Sequence, residues 1–196
     1  MFRRAFLALS VAALPLGVAA QTQTVELAGV KYATTATVGA ANLQLNGAGI
    51  RYKAIFKVYT AGLYLSVKAA TPEAVYAAPG VKRMHVVMLR DIDANELGKL
   101  FTDGMQKNAS REEFGKAIPG TLKLAEIFAS KKKLVAGDSF FVDYTPGTGT
   151  VISVNGKATA EPIAEPAFFT ALMKIWLGSS PADWQLKDAL LGQGKF

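Results

Sequence analysis

Apolar positions recur with two different periods along this chain, and the switches between them mark its elements. The stretch after residue 20 opens with Val25-Glu26-Leu27, and a tract rich in Thr, Ala and Gly, "YATTATVGAANLQLNG", follows. Together they read as one or two early strands of weakly specified register. A glycine turn in "NGAG" comes next, and Ile50 to Thr60 then has the β-branched and aromatic content of a strand. A period of two places Arg51, Lys53, Ile55, Lys57 and Tyr59 on one face. Tyr52, Ala54, Phe56 and Val58 share the other, which reads as the core face. Gly62 suggests a bulge or a close approach, after which Leu63-Tyr64-Leu65 resume the strand. Residues 68–80 read as a loop with one short helix after Thr71-Pro72, and "KRMHVVMLRD" as a core strand.

At Asp93 the period lengthens. Asp93 and Glu96 stand at capping-box spacing, and Leu97, Leu100, Phe101 and Met105 follow on one helical face. Ser110 and Glu113 repeat the box and open a second helix; Pro119-Gly120 then punctuates, and "TLKLAEIFASKKK" makes a third. Strands return in "DSFFVDY", with "TPGTGT" as a turn, and "VISVNGKAT" pairs back as a hairpin about Asn155-Gly156. Phe168, Phe169, Leu172, Ile175 and Trp176 line one face of a further helix that Gly178 ends. Ser180-Pro181 opens the last, with proline in its first turn. Strands, clustered helices, a hairpin and closing helices suit an antiparallel α+β domain better than alternating parallel units.

The first residues change this picture by falling outside it. Arg3-Arg4, an apolar run from Ala5 to Val18 and small residues before Gln21 make the three-part layout of a secretory signal peptide. The run is too short for a spanning helix of about 20 residues. Residues 1–20 are therefore set apart, and residues 21–196, 176 in all, suffice for one domain with one core. An exported location, most simply periplasmic, is the expectation. No stable membrane span is expected once the signal is removed.

Charge and composition narrow the chemistry. Without Arg3 and Arg4 the chain has 20 basic against 15 acidic residues, a scattered excess of +5. Its one basic run, Lys131-Lys132-Lys133, reads as a helix end, so no nucleic-acid surface is expected. There is no cysteine and one histidine. That composition excludes disulfides, thiolate metal centres, iron–sulfur clusters, a cysteine nucleophile and multi-histidine metal sites, and no cofactor is expected. His85 reads as a core or sheet-edge histidine, because no serine stands in a strand–turn–helix elbow to use it as a base. Glycine-rich "GAG" and "GTGT" lack phosphate-loop context and read as turns. Asp93 and Glu96 are accounted for by helix capping. By pattern alone Arg51 is a solvated charge on a polar face; its functional reading is a carboxylate-binding anchor, with Tyr59 lending a hydroxyl and a flat wall.

The stretch "LNGAGIRYKAIFKVYTAGLYL" resembles the signature of the chalcone isomerase-like family: Gly47, Gly49, Arg51, then Gly62-Leu63-Tyr64-Leu65. The close, "FFTALMKIWLGSSPADWQLKDALLG", is similar to that family's C-terminal helix pair, and "HVVMLRDIDANELGKLFTDGM" to its strand and cleft helix. The match is best with the bacterial, exported branch. The resemblance implies an open-faced β-sandwich, a large antiparallel sheet covered by a helical layer, with the ligand cleft between them. It also implies two precedents: cofactor-free cyclisation of chalcones in plant enzymes, and fatty-acid binding without known chemistry in plastid relatives. Arg51 matches the family's cleft arginine. Tyr59, with Thr60 beside it, falls where the plant enzymes place an active threonine. Where they place an active tyrosine, "RDIDANEL" has none and Glu96 takes the position; their helix asparagine falls near Asp103. Carboxylates at those places would repel an anionic substrate.

Three readings follow. The chain binds a small amphipathic or phenolic ligand, such as a fatty acid, in a cleft with ligand-binding residues Arg51, Tyr59, Thr60, Glu96 and Asp103. Alternatively it is an intramolecular lyase or isomerase acting on an enone, with Arg51 stabilising developing negative charge. The third reading is an accessory protein of the cell envelope with no small ligand.

Overall fold

The computed structural model describes residues 23–194, so the expected signal segment, residues 1–20, lies outside the described residues. Eleven strands and five helices follow in order. Strands β1 (Thr24–Leu27) and β2 (Val30–Ala33) form a separate hairpin. The main sheet takes β3 (Thr35–Val38), β4 (Ala41–Lys53), β5 (Phe56–Leu65), β6 (Lys82–Met88), β9 (Ser139–Thr145), β10 (Gly149–Val154) and β11 (Lys157–Ala158). These run antiparallel in the order β11-β10-β9-β6-β5-β4-β3. A small pair, β7 (Ile92–Asp93) and β8 (Lys133–Leu134), ties the ends of the helical excursion together.

The helices are α1 (Pro72–Ala77), α2 (Ala94–Asn108), α3 (Arg111–Ala129), α4 (Pro166–Leu177) and α5 (Trp184–Leu190). Helices α2 to α5 cover one face of the sheet. Between them and it lies the main core, which includes Leu63, Met84, Phe101, Phe128, Phe140 and Trp176. The β1–β2 hairpin covers part of the opposite face, burying Tyr32 against Leu43, Leu45 and Tyr64. The architecture is the expected α+β one, an antiparallel sheet under a helical layer.

Local signals account for several elements. Asp93 accepts the Glu96 amide at the start of α2, and Ser110 and Glu113 exchange both bonds of a capping box at the start of α3. Asn155 and Gly156 both have positive φ, as a two-residue hairpin turn requires. His85 lies on β6, stacked on Phe141 at 4.3 Å between ring centroids and tilted against Tyr32. Burial, with the Arg83 charge nearby, lowers its pKa to about 4, so it is neutral at physiological pH.

Four expectations are corrected. The glycines of "NGAG" stand inside β4 and make no turn. A Cβ on Gly47 would lie 1.9 Å from the Ala189 carbonyl oxygen, and one on Gly49 would lie 2.6 Å from the Ala189 methyl, so both are small to let α5 approach the strand. Residues 50–60 are not one strand. The chain turns at Ala54-Ile55, with Ala54 at φ 54°, and residues on either side pair antiparallel. The face assignment fails at two places: Tyr59, expected on the polar face, is buried in the main core, and Phe56, expected on the core face, is exposed. Pro119 does not end a helix: α3 runs unbroken from Arg111 to Ala129 with the proline inside it. Gly120 is small because a Cβ there would strike the Phe168 ring. Because α3 ends at Ala129, Lys131-Lys132-Lys133 lie beyond the helix rather than closing it, and Lys133 pairs with Asp91. Finally, α5 begins at Trp184 rather than Pro181, because Asp183 is the residue that accepts the Gln185 and Leu186 amides.

Candidate functional site

The turn at Ala54-Ile55 folds β4 back on β5 so that Arg51 and Tyr59 are cross-strand partners on the helix-covered face. Above them pass the first turns of α2 and the C-terminal half of α4. The space between is a cleft of about 190 Å³. Its walls are apolar: Val58 from β5, Ile92, then Leu97, Leu100 and Phe101 from α2, and Ile175 from α4. Arg51 and Tyr59 supply polar groups from the sheet, and Lys53, Glu96 and Ala182 complete the lining.

Tyr59 is buried in the main core, and its hydroxyl accepts the indole N–H of Trp176 at 2.9 Å. Burial raises the phenol pKa to about 12; the Trp176 hydrogen bond and the Arg51 charge oppose this, and Asp183 adds to it. The phenol therefore keeps its proton at neutral pH, and with its oxygen already accepting from Trp176 it can offer that proton to a ligand. Arg51 Nη1 stands 3.8 Å from Asp183 Oδ2, longer than a hydrogen bond. Asp183 is engaged elsewhere: Oδ2 accepts the Tyr52 amide at 2.8 Å, and Oδ1 accepts the first amides of α5. The guanidinium thus lies beside a carboxylate already satisfied by backbone donors, and its planar fork suits a bidentate anion.

Of the residues singled out from sequence, Arg51, Tyr59 and Glu96 meet at this cleft. Thr60 does not, since successive strand residues point to opposite faces. Its hydroxyl accepts from Tyr32 at 2.7 Å beneath the β1–β2 hairpin. Asp103 does not either. Seven residues beyond Glu96, about 10 Å along the helix, it lines an outer groove between α2 and α3 with Lys99 and Glu126. Sequence reasoning left out Trp176 as a hydrogen-bond donor and Asp183 as the neighbour of Arg51. Asp183 did carry a signal, an N-cap aspartate just before an amphipathic run; the interaction of Trp176 with Tyr59, 117 positions away, had none. A larger groove of about 480 Å³ along β4 and α5 opens to solvent, and Asp188 is its one charged lining residue. Among the described residues, no three His, Asp or Glu side chains are grouped as metal ligands would be.

A family model described as chalcone isomerase-like matches residues 24–192. Among solved structures, a fatty-acid binding protein of Arabidopsis thaliana superimposes with a TM-score of 0.65 at 11% identity. The match covers 86% of this chain and 96% of that one. Among curated proteins none matches.

Proposed function

From a chain that belongs to the chalcone isomerase-like family, we propose a binding protein that holds a small amphipathic acid in the Arg51 cleft and carries out no reaction there. The observation that carries this reading is the placement of Arg51 and Tyr59 side by side on the sheet floor of a cleft whose other walls are apolar apart from Lys53 and Glu96. A carboxylate there would meet the guanidinium fork and the phenol proton, and its hydrocarbon part would lie against Leu97, Leu100 and Phe101. The fatty-acid binding of the Arabidopsis protein with this fold supports the same ligand class. The volume of about 190 Å³ is below the roughly 300–1,000 Å³ usual for ligand sites, which favours a short acid or a chain that leaves the cleft at its mouth. A phenol kept protonated by burial is available to donate a hydrogen bond to a ligand carboxylate at neutral pH. Export to the periplasm through residues 1–20 is part of the proposal, and no helix of the described residues is long and apolar enough to cross a membrane.

Native mass spectrometry of the protein recovered from cells is expected to reveal a bound acid and a chain beginning near Gln21. Calorimetric titration with a series of fatty acids then tests the anchor. Charge-assisted hydrogen bonds contribute about 1.5–3 kcal/mol, so Arg51→Ala is expected to weaken binding about 10- to 150-fold. Equal affinity of wild type and Arg51→Ala would sink the proposal.

A further inference from the structure

The β4–β5 hairpin ends in two apolar side chains that the described residues leave largely exposed. Ile55 is 84% exposed and Phe56 56%. Leu100, from α2 at the cleft wall, is 45% exposed. The arms of the same hairpin carry Arg51, Lys53, Val58 and Tyr59 into the cleft lining, so the tip stands at the cleft mouth. Basic groups surround it. Lys53 and Lys57 are exposed on its two arms, and the Arg90 guanidinium lies 5.2 Å from the centre of the Phe56 ring. Among the described residues none of these three cations has a carboxylate oxygen within 4.0 Å. Of the nearby acids, Asp91 is paired with Lys133, Asp93 caps α2, and Glu96 stands in the cleft lining.

We propose that this tip docks the protein on an anionic lipid surface. Ile55 and Phe56 enter the boundary between headgroups and acyl chains, while Lys53, Lys57 and Arg90 meet lipid phosphates. Two observations favour lipid over a second copy of the chain. The apolar tip amounts to two or three side chains, far short of the roughly 800 Å² per partner of a stable protein interface. Its three cations would also face their own copies across a symmetric contact and repel. Docking stands on the tip alone. Its consequence, that the cleft mouth faces the surface from which an amphipathic acid would leave, rests on the binding function proposed above.

The test is co-sedimentation of the protein, purified from cells with its N-terminus determined by mass, with vesicles. One set is phosphatidylcholine alone; the other is phosphatidylcholine and phosphatidylglycerol in equal parts. Binding to the anionic set only, weakened by salt, is expected. Near such a surface each lysine contributes about 1 kcal/mol, so Lys53→Gln with Lys57→Gln is expected to lower affinity about thirtyfold. Ile55→Ser with Phe56→Ser is expected to lower it at least about tenfold. All four side chains are exposed, so the variants keep the fold. Arg51→Ala should lose the acid and keep the vesicles. Equal binding to both vesicle sets, or wild-type binding by either double variant, would overturn the proposal. So would vesicle binding that falls with Arg51→Ala as far as with the tip variants, or a wild-type dimer that the tip variants dissociate.

Discussion

Replacing Tyr59 by phenylalanine removes one oxygen from the floor of the cleft, and the consequence depends on pH in a direction that can be worked out. At neutral pH the change leaves the indole N–H of Trp176, a fully buried side chain, without its acceptor. A buried donor left unpaired costs about 1–3 kcal/mol, so Tyr59→Phe should be less stable than wild type by that amount. In the folded state the phenol pKa is raised to about 12 from an ordinary value of 10.0. The folded protein therefore holds this proton more tightly than the unfolded chain does. Its contribution to stability is fully present below about pH 10 and is lost as pH rises toward and through about 12. Two pKa units correspond to about 3 kcal/mol, most of which is gone when the pH reaches the folded pKa. Phenylalanine has no such loss. The stability gap between wild type and Tyr59→Phe should thus shrink, and close or reverse, between about pH 8 and pH 12. Urea unfolding followed by far-ultraviolet circular dichroism across this range measures the gap directly. Other groups that titrate there, Tyr64 among them, are common to both proteins and cancel in the difference. A gap that stays constant across the range would refute the placement of the Tyr59 hydroxyl in a desolvated site bonded to Trp176.

Gly47→Ala should lower the melting temperature sharply, because its Cβ would meet the Ala189 carbonyl at 1.9 Å and backbone cannot yield as a side chain does. A cost at the upper end of the roughly 1–3 kcal/mol range for overpacking is expected. Gly115→Ala, in an open position of α3, should instead gain up to about 1 kcal/mol, and thermal unfolding of the two variants side by side is the check. His85, with a folded pKa near 4 against 6.5 unfolded, contributes stability that is present above about pH 6.5 and lost as pH falls toward 4. His85→Phe keeps the stacking on Phe141 and removes that loss, so acid unfolding monitored by circular dichroism should begin at lower pH in the variant.

What could be read from sequence was what neighbours in the chain decide. Asp93 and Ser110 mark the starts of α2 and α3 because a cap acts within three residues. Asn155-Gly156 marks its hairpin because the turn needs those backbone angles. The misread places are those where a distant residue sets the choice. Gly47 and Gly49 look like turn glycines until α5, some 140 positions later, is laid on them, and Gly120 looks like a stop until Phe168 is packed against it. The turn at Ala54-Ile55 has no glycine or asparagine to announce it. Without that turn Arg51 and Tyr59 read as residues along one polar face, whereas they are opposite partners across two strands. Family resemblance supplied Arg51 as a cleft residue; it supplied Glu96 and Asp103 equally, and only helix geometry separates them.

The attachment of α5 to β4 has a temporal consequence. Asn46 donates to the Leu190 carbonyl across 144 positions, and the Tyr52 amide donates to Asp183 across 131. The strand that carries Arg51 is made before its partner helix and waits 131 to 144 positions for the residues that hold it. Loops of that length close late and slowly. A ribosome-bound or truncated chain that stops short of Asp183 has an arginine but no helix to seat beside it, so the surroundings of Arg51 are assembled only once α5 has been made.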